Sequence, residues 1–144
     1  ANGSYQGVSL RELMRRYSKE LVGNEQDNFP LLIKIIDAEQ NLSIQVHPDN
    51  ATAEKLQAEP KTEMWYGLQN HSPTAVIAGF NTPLTSEQFL TAVAAGSLVS
   101  HLKTHTLEEG DAIFIPGGTI HAILQGAFVL EVQQNSNTTY RIYE

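Results

Sequence analysis

Eight short runs of β-prone residues, at 31–36, 42–47, 63–68, 75–78, 112–115, 119–124, 128–133 and 139–143, alternate with turn residues along this 144-residue chain. Short strands at such spacing pack as a sandwich or close into a barrel, because an open sheet of them would leave edges and one apolar face in water. The expected fold is therefore mainly β, of the jelly-roll kind, with a few helices outside. One helix is expected to start at Ser9, where Ser9 and Glu12 form a capping-box pattern, each satisfying a free backbone N–H of the first turn. Leu10, Leu13, Met14, Tyr17 and Leu21 then recur at helical spacing, and Gly23 is the expected stop. A second helix is expected over about 86–95, between Thr85 as cap and Gly96 as terminator, followed by a short helical turn around 98–102. No internal repeat, low-complexity stretch or linker interrupts the chain, so a single domain over residues 1–144 is expected.

Charge and composition remove several partners. The net charge is −7 with no basic stripe, which argues against nucleic acid, since neutralising phosphates needs clustered Lys and Arg. The chain has no cysteine, which excludes disulfides and thiolate metal sites. No long apolar segment or signal peptide is visible, so no membrane partner is expected and the cytoplasm is the expected location.

The polar residues inside the β runs carry the chemistry. In 42–47, Ile44 and Val46 suit a core-facing side, and alternation sends Ser43, Gln45 and His47 to the other face. Lys61 and Glu63 share a face at the start of the next run, and His121 lies inside another, after a Gly-Gly turn. Val129, Glu131 and Gln133 share a face, and Arg141 lies in the last run. Each of these residues has an ordinary structural reading when taken alone. As a set, Gln45, His47, Glu63 and His121 supply nitrogen and oxygen donors from three β segments, without sulfur. Such a set suits Zn²⁺ or another borderline divalent metal with a position open to water or substrate. On the residues alone, a metal site and a collection of structural roles both stand.

Four segments, "LLIKIIDAEQNLSIQVHPDN", "KTEMWYGL", "GDAIFIPGGTIHAI" and "LEVQQNSNTTYRIYE", resemble in order the signature segments of type I phosphomannose isomerases. The resemblance implies a cupin fold and a zinc-dependent enzyme that interconverts mannose 6-phosphate and fructose 6-phosphate through an enediol. It implies one Zn²⁺ per chain, held by Gln45, His47, Glu63 and His121. Lys61, Arg141 and Glu131 match catalytic positions of the family, and Ser43 and Lys34 match residues that hold the substrate phosphate. Lys61, Glu131 and a metal-bound water all stand as the general base. His71, His101 and His105 match no motif and are expected at the surface.

Two departures matter. Family members are longer, with an N-terminal segment pairing into the barrel and a second, smaller cupin-like domain. Without them, an exposed strand edge or a large apolar patch is expected, and with it self-association. Asn137 also stands where the family commonly has aspartate. Two other functions remain as alternatives: a non-catalytic sugar-phosphate-binding cupin, and a metal cupin of other chemistry such as an oxygenase. The oxygenases usually carry a His-x-His pair, where this chain has Gln45-x-His47.

Overall fold

The computed structural model describes residues 3–25, 28–68 and 74–143. The chain divides into two compact units, residues 1–32 and 33–144. His71 lies outside the described residues.

In the first unit, α1 (Leu10–Val22) opens where Ser9 Oγ accepts from the Glu12 N–H at 3.2 Å, and it ends at Gly23 in the left-handed region, φ 82°. Half of the expected capping box is present. The Glu12 carboxylate turns instead to Arg16 at 2.8 Å and Arg15 at 3.1 Å, one helical turn on, where two guanidinium groups outcompete a backbone N–H. No helix of the described residues is long and apolar enough to cross a membrane.

The second unit is built from antiparallel sheets. One has four strands in the order β1 (Leu31–Asp37), β8 (Phe128–Gln134), β3 (Glu63–Gly67), β6 (Ala112–Ile115). The other has five, in the order β5 (Leu102–Leu107), β4 (Thr74–Phe80), β7 (His121–Ile123), β2 (Ile44–Val46), β9 (Tyr140–Tyr143). This is the expected mainly β architecture. Trp65, Ile115 and Val129 from the four-stranded sheet bury with Val76, Leu107 and Ile123 from the five-stranded one, so a core fills the space between the sheets. The other face of the five-stranded sheet is also covered. Ile44, Ile77 and Ala122 pack there with Ala92 of α3 (Ser86–Ala94) and with Leu98 and Leu102. The outer face of the four-stranded sheet is more open, leaving Ile33 57%, Ile35 68% and Phe114 66% exposed.

Helix α3 lies where the sequence put it, with a full capping box between Thr85 and Gln88. Two elements of the second unit were not expected. The first is α2 (Asn50–Leu56), capped by Asp49, whose carboxylate accepts from the Thr52 N–H at 2.7 Å. The second is β5, an edge strand of which only Leu102 was given an element, as the end of a helical turn. A 3-10 turn does occupy Leu98–His101, but the chain then extends and pairs with β4.

Candidate metal centre

Strand alternation and register assemble the site. In the five-stranded sheet Gln45 lies directly opposite His121 on one side and Arg141 on the other, so these three residues form a row across β7, β2 and β9. In the facing sheet, Glu63 pairs with Gln133 and Trp65 with Glu131. The two inner faces thus bring His47, Glu63 and His121 together, each 1% exposed, with one donor atom apiece within 4.8 Å of the others.

The Gly117–Gly118 turn fixes this approach. A side-chain carbon on Gly117 would meet Pro48 O at 2.6 Å and Asp49 Cα at 2.7 Å, so only glycine lets the turn lie against the chain that follows His47. Gly118, at φ 87°, donates its N–H to His47 O at 2.7 Å, and Gly117 donates to Thr62 Oγ1 at 3.2 Å. One turn therefore ties to two donor-bearing segments, at the His47 carbonyl and at the Thr62 side chain.

The imidazole tautomers follow from their partners. His47 Nδ1 lies 2.8 Å from Thr138 O, and His121 Nδ1 lies 2.8 Å from Thr119 O. A carbonyl only accepts, so each Nδ1 carries a proton, and a ring without a second proton aims the lone pair of Nε2 into the cluster. His121 Nε2 stands 3.0 Å and His47 Nε2 3.7 Å from Glu63 Oε1. Neither buried carboxylate oxygen of Glu63 has a hydrogen-bond partner of acceptable geometry, although Lys61 Nζ comes within 3.3 Å of Oε2. Lone pairs at these distances repel unless positive charge lies between them. One way to supply it is to protonate the rings. Burial by itself raises the Glu63 carboxyl pKa, but bonding to His121 and His47, with the charges of His121 and Lys61, outweighs burial and holds it well below the usual carboxylate range.

A divalent cation supplies the charge to every donor at once, and the spacing fits one. Tetrahedral donors about 2.1 Å from a metal are about 3.4 Å from each other. The separations are 3.0 Å for His121–Glu63 and 3.7 Å for His47–Glu63, and all three donor atoms lie within 4.8 Å of one another. The donor set accordingly fits a metal ion. Gln45 presents Nε2 to His121 Nε2 and accepts at Oε1 from Ser43 Oγ at 3.2 Å. Turning its amide over brings Oε1 to the cluster, an exchange the side chain's shape permits.

The remaining candidate residues are arranged around this cluster in different ways. Lys61 is 6% exposed and donates from Nζ to His47 Nε2 at 3.1 Å. Arg141 is exposed at the end of the row, and its side chain makes no hydrogen bond or ion pair among the described residues. Lys34 donates to Glu131 Oε1 at 2.9 Å and to Gln133 Oε1 at 2.5 Å. The second oxygen of Glu131 accepts from Trp65 Nε1 at 3.0 Å, so both of its oxygens are engaged. His101 and His105 are half-buried rather than fully exposed, and His105 Nε2 lies 3.1 Å from Ala78 O. A groove of about 400 Å³ lined by Val46, Phe80, Phe89 and Ile120 lies on the α3 side of the sheet and includes none of the donors.

Sequence reasoning put Gln133 on the face of Glu131 without giving it a role, and it missed Trp65 and the carbonyl of Thr138. Trp65 was within reach, since alternation puts it on the face of Glu63. A backbone carbonyl distant in sequence leaves no such mark.

Residues 1–88 match the family described as phosphomannose isomerase type I, catalytic domain. Over 99% of its length the chain is 43% identical to the mannose-6-phosphate isomerase of Streptococcus mutans and 41% identical to the mannose-6-phosphate isomerase ManA of Bacillus subtilis. It spans 45% and 46% of those proteins. The crystal structure of the Bacillus subtilis mannose 6-phosphate isomerase superposes on all of this chain with a TM-score of 0.86 at 38% identity, over 46% of its own length.

Proposed function

This chain belongs to the type I phosphomannose isomerase family, and from that premise we propose that it carries the catalytic site of a metal-dependent aldose–ketose isomerase acting on mannose 6-phosphate and fructose 6-phosphate. The observation that carries the reading is the buried convergence of His47, Glu63 and His121 beside Gln45, with an uncommitted Arg141 on the same row. Zn²⁺ is the proposed ion, held by Gln45, His47, Glu63 and His121, because the donors are nitrogen and oxygen only. When bound, it supplies a Lewis acid beside the sugar oxygens.

The chain's own groups account for the rest of the reaction. In its neutral form, Lys61 takes the proton from C2 of the aldose, leaving an enediolate. The proton on the C2 oxygen passes to the C1 oxygen, and the Lys61 ammonium returns its proton to C1, which gives the ketose and restores the neutral amine. Lys61 suits this shuttle because its Nζ lies at the edge of the donor cluster rather than in bulk water. The Arg141 guanidinium offsets the negative charge that develops on the two oxygens. Arg141 makes no ion pair among the described residues, so that charge is available.

For the phosphate we propose Ser43 and Lys34. Lys34 commits two of its three N–H donors to Glu131 and Gln133, which leaves one. If the Gln45 amide turns over to present its oxygen to the cluster, its Nε2 donates to Ser43 Oγ, and the Ser43 hydroxyl is free to donate elsewhere. Glu131 has both oxygens engaged, and we assign it to positioning rather than to proton transfer. The two units would act as one catalytic domain.

The test is a coupled isomerase assay on zinc-loaded protein, offering mannose 6-phosphate against glucose 6-phosphate. Turnover of mannose 6-phosphate that disappears with chelator is expected. Phosphosugar binding without turnover would leave a binding protein.

A further inference from the structure

Trp65 is the only tryptophan of the chain, is 1% exposed, and reaches both sheets. On its own sheet it lies opposite Glu131, and its indole N–H donates to Glu131 Oε2 at 3.0 Å. Toward the other sheet its ring meets the imidazole of His121 edge-on, with centroids 5.5 Å apart and planes at 71°. The other Glu131 oxygen takes Lys34 Nζ at 2.9 Å. A continuous path therefore runs from the half-exposed Lys34 through Glu131 and Trp65 to a buried donor of the metal cluster.

We propose that Trp65 is a positioning residue of the metal centre: it holds the Glu131 carboxylate with one end and sets the plane of His121 with the other. The proposal rests on the metal reading given above. Two constraints define the His121 ring. The Nδ1–H bond to Thr119 O limits rotation about Cβ–Cγ from one edge of the ring. The Trp65 contact, with the tilted His47 ring 4.7 Å away, packs the faces of the ring and keeps Nε2 turned to the cluster. The indole itself is not free to rotate. A charge-assisted hydrogen bond to a carboxylate that is also paired with Lys34 anchors it. A residue serving only as core filler needs neither end of this arrangement.

A single tryptophan gives a single indole N–H resonance, which makes the link directly observable. In metal-free protein, Glu131→Gln should move that resonance, because a charged acceptor becomes a neutral one. In otherwise unchanged protein, adding Zn²⁺ should move it too, because the His121 ring that it meets edge-on changes its electronic state. Trp65→Phe keeps an aromatic ring against His121 but loses the anchor. Its zinc dissociation constant, measured by competition with a chromophoric chelator, should rise roughly tenfold or more. Val129→Ala, which trims a fully buried neighbour in the same core, should bind zinc as the unmodified protein does, and so separates positioning from general loosening. Unmodified zinc affinity in Trp65→Phe, or an indole resonance indifferent to Zn²⁺, would overturn the proposal and leave Trp65 as core. If Trp65→Phe failed to fold, the indole response to Zn²⁺ and to Glu131→Gln would decide. Should the unmodified protein take up no zinc, the metal reading itself falls and the proposal with it.

Discussion

His121 Nε2 and Glu63 Oε1 face each other at 3.0 Å in the interior, on strands from opposite sheets. Thr119 O holds one His121 proton on Nδ1, so a ring without a second proton presents a lone pair to the Glu63 carboxylate. Either a proton on Nε2 or a cation relieves that juxtaposition, so a metal held here would be linked to folding stability.

The first prediction follows from that linkage. A ligand that binds only the folded state stabilises it in proportion to the logarithm of its free concentration once the site is largely filled. The thermal midpoint of chelator-stripped protein should therefore climb steadily with added Zn²⁺. A midpoint indifferent to zinc, read by circular dichroism, would speak against a cation in this cluster.

The second concerns acid. Glu63 ionises well below its usual 4.5 in the fold. As pH falls through the usual value, the unfolded chain takes up a proton that the folded one does not, so stability drops with falling pH in that window and is fully present above it. Urea titrations of metal-free protein should show this slope, and Glu63→Gln should flatten it. An unchanged slope in the variant would remove Glu63 as its source.

The third separates catalysis from binding. Arg141→Ala should lower kcat by about a hundredfold or more, because the charge that Arg141 meets develops in the transition state. Lys61→Ala should also lose turnover, and both should keep their zinc. A large rise in KM at constant kcat in both variants would favour a sugar-phosphate-binding protein instead.

Much of this site was readable from the sequence, and the reason is strand alternation. Ile44 and Val46 against Gln45 and His47 is a period-2 pattern with a polar side, and it correctly separates the covered face from the interior one. The same rule ties Glu63 to Trp65. The parts that escaped lack such a pattern. In β5, LKTHTL, the buried residues are Leu102 and Leu107, at opposite ends of an edge strand, so no apolar alternation marks it. Helix α2 buries only Ala53 over seven residues, too little for a helical period to show. The Lys34–Glu131 pair joins residues 97 apart, a separation about which local spacing says nothing. The engagement of both Glu131 oxygens, which decides whether that carboxylate can act as a base, is visible only in the folded chain.

A fourth prediction tests the turn that sets the donor spacing. A methyl group on Gly117 would lie 2.6 Å from Pro48 O and 2.7 Å from Asp49 Cα, both backbone atoms that cannot move aside cheaply. Gly117→Ala should destabilise the protein by about 1–3 kcal/mol, the usual range for overpacking, and weaken zinc binding by displacing the His47 segment. Chemical denaturation and zinc competition measure the two effects. Unmodified behaviour in both would mean that the turn does not set the donor spacing.

The metal centre is tested most directly by zinc content after equilibrium dialysis, comparing the unmodified protein with His121→Ala. The unmodified chain is predicted to hold one equivalent, and His121→Ala, folded but missing the donor that faces Glu63, is predicted to hold close to none. One equivalent retained in His121→Ala would contradict the assignment of this cluster as the metal site.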